Sequence, residues 1–140
     1  EIGVQSLMGL MEPSYIEGKT ETAKFMRRLL YAGAIAIADA SNGIGPEEVK
    51  IFEKFFGPGE FSSKLDVTRL KEDLDNRVNN ACLNTSIPQR MQVVRDLCVV
   101  AQASGRITDE ERDVLEHIAD GLNISRGFIS RTIKLLIEPD

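Results

Sequence analysis

The feature that most constrains the fold is an internal repeat. Residues 38–56 read ADASNGIGPEEVKIFEKFF, residues 101–119 read AQASGRITDEERDVLEHIA, and the two align without a gap at an offset of 63 residues. Seven of the 19 aligned positions are identical, and apolar residues keep helical spacing in both copies. Each copy is therefore predicted to be an αα-hairpin, with an apolar helix, a tight loop and an acidic helix. Such a hairpin cannot bury its apolar face alone, so the copies are expected to pack together as a pseudo-symmetric bundle.

The rest of the chain also favours helices, because few stretches show the alternation of apolar and polar residues that is typical of strands. The sequence predicts an all-α fold, a compact bundle of about seven helices. The predicted order is a weak helix over residues 2–11, the first repeat over about 20–57, a linking helix over about 65–84, the second repeat over about 86–122 and a C-terminal helix over about 125–137. The helix from about Glu21 to Ala40 has little polar face in its second half and is expected at the centre.

Hydroxyl residues mark where several helices are predicted to begin. Thr20 and Ser125 are of the type that caps a helix N-terminus. The pairs Ser86/Gln89 and Thr108/Glu111 have the spacing of a capping box. The same local chemistry accounts for the two glutamates that open each acidic helix of the repeat, since carboxylates near a helix N-terminus are stabilising.

Composition limits the classes of protein. The chain has 140 residues, which suits a single domain over 1–140, and a formal net charge of -5, which disfavours general binding to nucleic acid or to anionic lipid. No apolar run approaches the length of a membrane-spanning helix. The two cysteines, Cys82 and Cys98, cannot form a multi-bridge scaffold, so a reducing, cytoplasmic location is expected. The first residue is Glu1 rather than Met, and the chain is expected to be a fragment of a longer protein.

The repeated motif resembles that of a known family. It occurs as A-D-A-S-N-G-I-G-P-E-E and as A-Q-A-S-G-R-I-T-D-E-E, and with its helices it covers about residues 20–137. This pattern is similar to the TerB-like, or tellurite-resistance protein B, superfamily. The resemblance implies a compact all-α domain that occurs alone in stress-resistance operons or fused to J-domain chaperones, membrane proteins and peptidases. It also implies a scaffolding or ligand-sensing role, with acidic surface residues proposed to bind a divalent metal.

The chain departs from the family at the loop. The usual family loop has Ala-Asp-Gly-Glu before the Ile, whereas residues 40–43 are ASNG and residues 103–106 are ASGR. Five other acidic residues are candidate ligands for a weakly bound divalent cation if the two loops lie close together: Asp39, Glu47, Glu48, Glu110 and Glu111. Calcium sites supply six to eight oxygens, and no such spacing occurs, so no tight metal site and no cofactor are predicted.

Catalysis finds little support in the sequence. The single histidine, His117, lies beside Leu115 and Ile118, and is expected to be a partly buried helix residue rather than a general base. Cys98 aligns with Ile35 in the repeat and is predicted to be a core residue, and Cys82 is expected to pack as well. The domain is therefore predicted not to be an enzyme.

The acidic helix of the second repeat is the main candidate for recognition. Its carboxylates are predicted to dock a basic surface of a partner protein or of the rest of a longer chain: Asp109, Glu110, Asp113, Glu116 and Asp120. The predicted function is a non-catalytic interaction or ligand-sensing module, an accessory domain of a larger bacterial stress-response, chaperone-type or membrane-associated peptidase protein, with no membrane insertion of its own. A DNA-binding helix-turn-helix at the C-terminus is an alternative, with Arg126, Arg131 and Lys134 on its second helix.

Overall fold

The computed structural model describes residues 20–41, 67–103 and 105–137, and within these ranges all regular secondary structure is α-helical. This confirms the predicted all-α class. The helices are α1 (Glu21–Ser41), α2 (Val67–Glu72), α3 (Leu74–Asn84), α4 (Ile87–Ala103), α5 (Asp109–Gly121) and α6 (Arg126–Ile137).

Helix α1 occupies the centre of the described bundle, as its sequence predicts. It packs against α2, α3, α4 and α5, while α6 packs against α4 and α5. Most of the helix from Leu29 onward is buried, and Leu29, Leu30 and Ile35 have no exposed surface. Gly33 allows α4 to approach closely, because a Cβ atom at this position would lie 3.0 Å from both methyl carbons of Leu97.

The segment between the two repeats differs from the prediction. One helix was expected over about 65–84, but α2 and α3 are separate helices on either side of Asp73. The Asp73 carboxylate accepts hydrogen bonds from Asn76 Nδ2 at 3.3 Å and from Arg77 Nε at 3.0 Å. The interruption is confined to one residue, because backbone hydrogen bonds continue across it, from Asp73 N–H to Arg69 O at 3.0 Å and from Arg77 N–H to Asp73 O at 3.1 Å. Apolar residues at helical spacing form the core side of α3, where Leu74, Val78 and Ala81 are buried.

Helices α4 and α5 form the αα-hairpin that the second repeat predicts, with bounds close to the expected residues 86–122. In the first repeat, α1 matches the predicted apolar helix, but the acidic helix that should follow it lies outside the described residues. The weak helix predicted for residues 2–11 lies outside them too. The pseudo-symmetric pairing of two hairpins therefore stays a prediction.

The four predicted N-caps are present. Each cap hydroxyl accepts a hydrogen bond from a backbone N–H three residues ahead: Thr20 from Ala23 at 3.1 Å, Ser86 from Gln89 at 3.4 Å, Thr108 from Glu111 at 3.1 Å, and Ser125 from Phe128 at 3.3 Å. At α4 and α5 the backbone N–H of the cap residue also donates to the side chain three residues ahead, Ser86 N–H to Gln89 Oε1 at 2.8 Å and Thr108 N–H to Glu111 Oε1 at 2.8 Å. Both predicted capping boxes are thus confirmed.

Candidate functional site

Helix α5 places acidic side chains on one solvent-facing side. Its core side buries Leu115, Ile118 and Ala119. Four of the five predicted partner-binding carboxylates recur at intervals of four, three and four residues, which puts them on one face of a helix. We call this set the acidic stripe: Asp109, Asp113, Glu116 and Asp120. The fifth, Glu110, is exposed but lies off this line.

The turn after α5 fixes where α6 runs beside the stripe. Asn123 adopts a positive φ of 59°. The backbone N–H of Asn123 donates to Asp120 O at 3.2 Å, and the N–H of Ile124 donates to Ala119 O at 2.9 Å. These are the two hydrogen bonds of a Schellman motif, for which asparagine is a suitable left-handed residue. The chain reverses there, so that α6 runs antiparallel to α5.

Cations from both helices occupy the C-terminal half of the stripe. Arg126 forms a two-pronged contact with Asp120, through Nη2 to Oδ2 at 2.7 Å and Nε to Oδ1 at 3.2 Å. Its Nη1 also lies 3.6 Å from Glu116 Oε1, and Arg112 Nε lies 3.5 Å from Glu116 Oε2. The hydrogen bonds from Arg126 lower the pKa of the Asp120 carboxyl, and Asp120 in turn raises the pKa of Arg126.

The N-terminal half of the stripe is different. Asp109 and Asp113 are exposed, and neither makes an ion pair or a side-chain hydrogen bond with another described residue. Glu110 is in the same condition. Asp113 interacts with Arg126 only through space, without a direct contact, so this end of α5 presents carboxylates to solvent that no described cation contacts.

Two of the candidate cation ligands have structural roles. Glu111 is buried, with 3% of its surface exposed, and its carboxylate caps α5. Asp39 Oδ2 accepts a hydrogen bond from Lys71 Nζ at 2.8 Å, which ties α1 to α2. Glu47 and Glu48 lie outside the described residues. Among the residues that are described, no three His, Cys, Asp or Glu side chains come together as a metal site.

The single histidine is more exposed than predicted, whereas the two cysteines are packed as predicted. His117 was predicted to be partly buried, but 61% of its side chain is exposed, and its Nε2 lies 2.6 Å from Asp75 Oδ1. The reason is that His117 faces α3 at the rim of the bundle rather than the core. Cys98 is fully buried, as predicted, and burial raises the pKa of its thiol to about 12. Cys82 is half-buried, with its Sγ 3.6 Å from Asn123 Nδ2.

The sequence did not predict which of the cations of α6 pairs with α5. Arg126, Arg131 and Lys134 look equivalent in the sequence, yet only Arg126 pairs with α5. The pair Asp120/Arg126 spans six residues across a turn, so no helical periodicity could have predicted it. The chain reverses at Asn123, and the geometry of this turn decides which of the three cations reaches the stripe.

Comparison with known proteins identifies one family. The family model for tellurite resistance protein TerB matches residues 27–132, a span that includes most of α1, all of α2 to α5 and the first half of α6. Neither the curated proteins nor the solved structures contain a match to the chain. No helix within the described ranges combines the length and the apolar character that crossing a membrane requires.

Proposed function

The chain belongs to the TerB family, and we propose that it is a non-catalytic interaction module that binds a basic protein surface through the acidic stripe of α5. As in other members of a family with varied architectures, the domain would serve as an accessory part of a larger bacterial stress-response, chaperone-type or membrane-associated peptidase protein. This association with a host rests on family resemblance alone. A cytoplasmic location is part of the same proposal.

The observation that carries the proposal is the contrast within the stripe. Glu116 and Asp120 form salt bridges with Arg112 and Arg126, whereas Asp113 forms no salt bridge with a described residue and interacts with Arg126 only through space. Asp109 lies in the first turn, where the helix dipole favours a carboxylate. Asp113 lies beyond that turn, so this benefit falls off. Unneutralised surface charge of one sign steers partners of the opposite sign and sets specificity.

A titration with a defined basic probe tests the proposal. The probe is a synthetic amphipathic helix of lysine and leucine, added at low salt to ¹⁵N-labelled protein. We expect saturable shifts of amide signals in the N-terminal half of α5, which diminish as salt screens the charges. The double variant Asp109→Lys/Asp113→Lys should lose these shifts while remaining folded, with a small fall in melting temperature because a cation in the first turn is disfavoured by the helix dipole.

The matched control is Glu21→Lys/Glu72→Lys. Both residues are exposed, belong to α1 and α2 rather than to α5, and give the same change in net charge. Binding by this control that equals the wild type would show that the position of the charge matters. If the two double variants weaken binding equally, attraction depends only on net charge and the stripe is not a recognition surface.

Two further hypotheses from the sequence stay predictions. Weak cation binding would raise the melting temperature in a chelator-sensitive manner. DNA binding would appear as a mobility shift of a duplex that disappears with salt and weakens in Arg131→Ala. The acidic stripe beside α6 argues against DNA, because phosphates approaching Arg131 and Lys134 would also meet Asp109 and Asp113.

A further inference from the structure

The outer side of α6 has a surface that the proposed function does not use. Arg131 and Lys134 are exposed, and neither makes an ion pair with another described residue. We call this pair the basic face of α6. Two large apolar side chains of the same helix are also in solvent, Leu135 with 66% and Ile137 with 58% of its surface exposed.

The contacts between α5 and α6 place this basic face relative to the stripe. Arg126 and Ser130, which both bond to α5 side chains, lie eleven and seven residues before Ile137. These spacings return to the same face of a helix, so Ile137 lies on the α5 side of α6. Arg126 bonds to Asp120, and Ser130 bonds to Arg112 nearer the start of α5, so α6 runs in the direction that brings its C-terminal half toward the N-terminal half of the stripe. Acidic stripe, Ile137 and basic face therefore follow one another across one surface.

A surface with this order of charges complements itself. When two copies face each other about a two-fold axis, the stripe of each meets the basic face of the other. The axis then passes near Ile137, so that the two exposed isoleucines come together. Within one chain the same charges do not pair, because Asp109 and Asp113 make no ion pair with Arg131 or Lys134.

We propose that the partner of the acidic stripe is a second copy of this chain, docked through the basic face of its α6. This inference rests on the proposed function, since it names the partner of the same site. A uniformly charged partner would be less complementary to this surface than a second copy. A purely basic surface would meet Arg131 and Lys134, and an anionic membrane or nucleic acid would meet Asp109 and Asp113, whereas a second copy offers both signs in the required order.

The test is a charge swap read by sedimentation velocity at low salt over a range of protein concentrations. The wild type should form a reversible dimer whose sedimentation coefficient falls to that of the monomer as salt is raised. In a dimer of Asp109→Lys/Asp113→Lys, cations would face cations at both contacts between stripe and basic face. In a dimer of Arg131→Glu/Lys134→Glu, carboxylates would face carboxylates there. Each variant alone should therefore be monomeric. Their equimolar mixture should regain the dimer, because every contact then joins opposite charges. Circular dichroism checks that both variants are folded.

The glutamate control Glu21→Lys/Glu72→Lys should dimerise like the wild type. A wild type that stays monomeric at every concentration, or a mixture that does not regain the dimer, overturns the inference. The lysine–leucine peptide separates this failure from failure of the proposed function. If a monomeric wild type still binds the peptide through Asp109 and Asp113, the stripe is a recognition surface for another protein. If it binds neither itself nor the peptide, both proposals fail.

Discussion

Helices α1 and α5 show two ways in which a helix can belong to one bundle. In α1, Ala32 to Ala38 are all buried, so that nearly every side of its second half touches another helix. In α5, only one side is buried, and the acidic stripe runs along the other. The buried stretch from Ala32 to Ala38 therefore has no exposed side chain that a partner could contact. The outer side of α5 carries charged residues that packing does not require, so these residues are available to bind a partner.

This comparison predicts that changes around α1 alter stability and that changes on the outer side of α5 alter binding. The largest effect should come from the contact between α1 and α4. Leu97→Ala removes a side chain with no exposed surface that packs against Gly33, and the cavity should lower the free energy of unfolding by about 2–5 kcal/mol. Urea unfolding measures this difference. The matched control is Leu83→Ala, because 74% of Leu83 is exposed and its loss should change stability little.

A smaller effect is expected where α5 meets α3. A Cβ atom at Gly121 would lie 2.5 Å from Cγ1 of Val78, a β-branched side chain with few alternative rotamers. Gly121→Ala should therefore destabilise the fold by about 1–3 kcal/mol through overpacking. In the control Gly127→Ala, the nearest side-chain atom to the new Cβ would be Nη1, at the flexible end of Arg131, 3.2 Å away, so this change should be neutral or slightly stabilising. Equal melting temperatures for both variants would show that α3 and α5 are not packed closely at Gly121.

Much of the fold was predictable because its signals are local. Thr20, Ser86, Thr108 and Ser125 cap helices as their types and spacings indicate. The burial of α1 follows from its run of apolar residues. The interruption at Asp73 was missed, since a core stripe with correct periodicity continues through it and only the side-chain hydrogen bonds to Asn76 and Arg77 accompany the break.

The candidate site was predictable only as a group of carboxylates. Sequence treats Glu110 and Glu111 alike, but one residue is a rotation of about 100° on a helix. That rotation leaves Glu110 exposed and buries Glu111 in its capping box. The division of the stripe into a paired half and an unpaired half depends on Arg126 of another helix. Periodicity within α5 carries no information about that contact.

These two glutamates provide the third prediction. Glu111→Ala removes the side chain that accepts the Thr108 N–H at 2.8 Å, and it should cost about 0.5–2 kcal/mol, the range for loss of a helix cap. Glu110→Ala removes an equal charge from the same turn and should change the free energy of unfolding by only a few tenths of a kcal/mol. Chemical denaturation of both variants measures the difference. Similar losses would mean that charge near the helix N-terminus, rather than the capping box, stabilises α5.

The smallest effect concerns pH and the paired half of the stripe. Asp120 has a lowered pKa in the folded protein because Arg126 bonds to its carboxylate. A carboxyl group with a lowered folded pKa stabilises the fold above its unfolded pKa, and this contribution disappears as the pH falls through the folded value. Asp120→Asn should therefore lower stability slightly at neutral pH and flatten the acid limb of a plot of unfolding free energy against pH. The effect should be small, because the contact between Asp120 and Arg126 is exposed and solvent screens it. Asp113→Asn is the control, because it removes a carboxylate from the same helix that forms no salt bridge or side-chain hydrogen bond with a described residue. An acid limb that is equally steep in wild type and Asp120→Asn would show that Arg126 does not stabilise the fold through Asp120. Neither Asp113 nor Asp120 would then contribute to stability through a salt bridge.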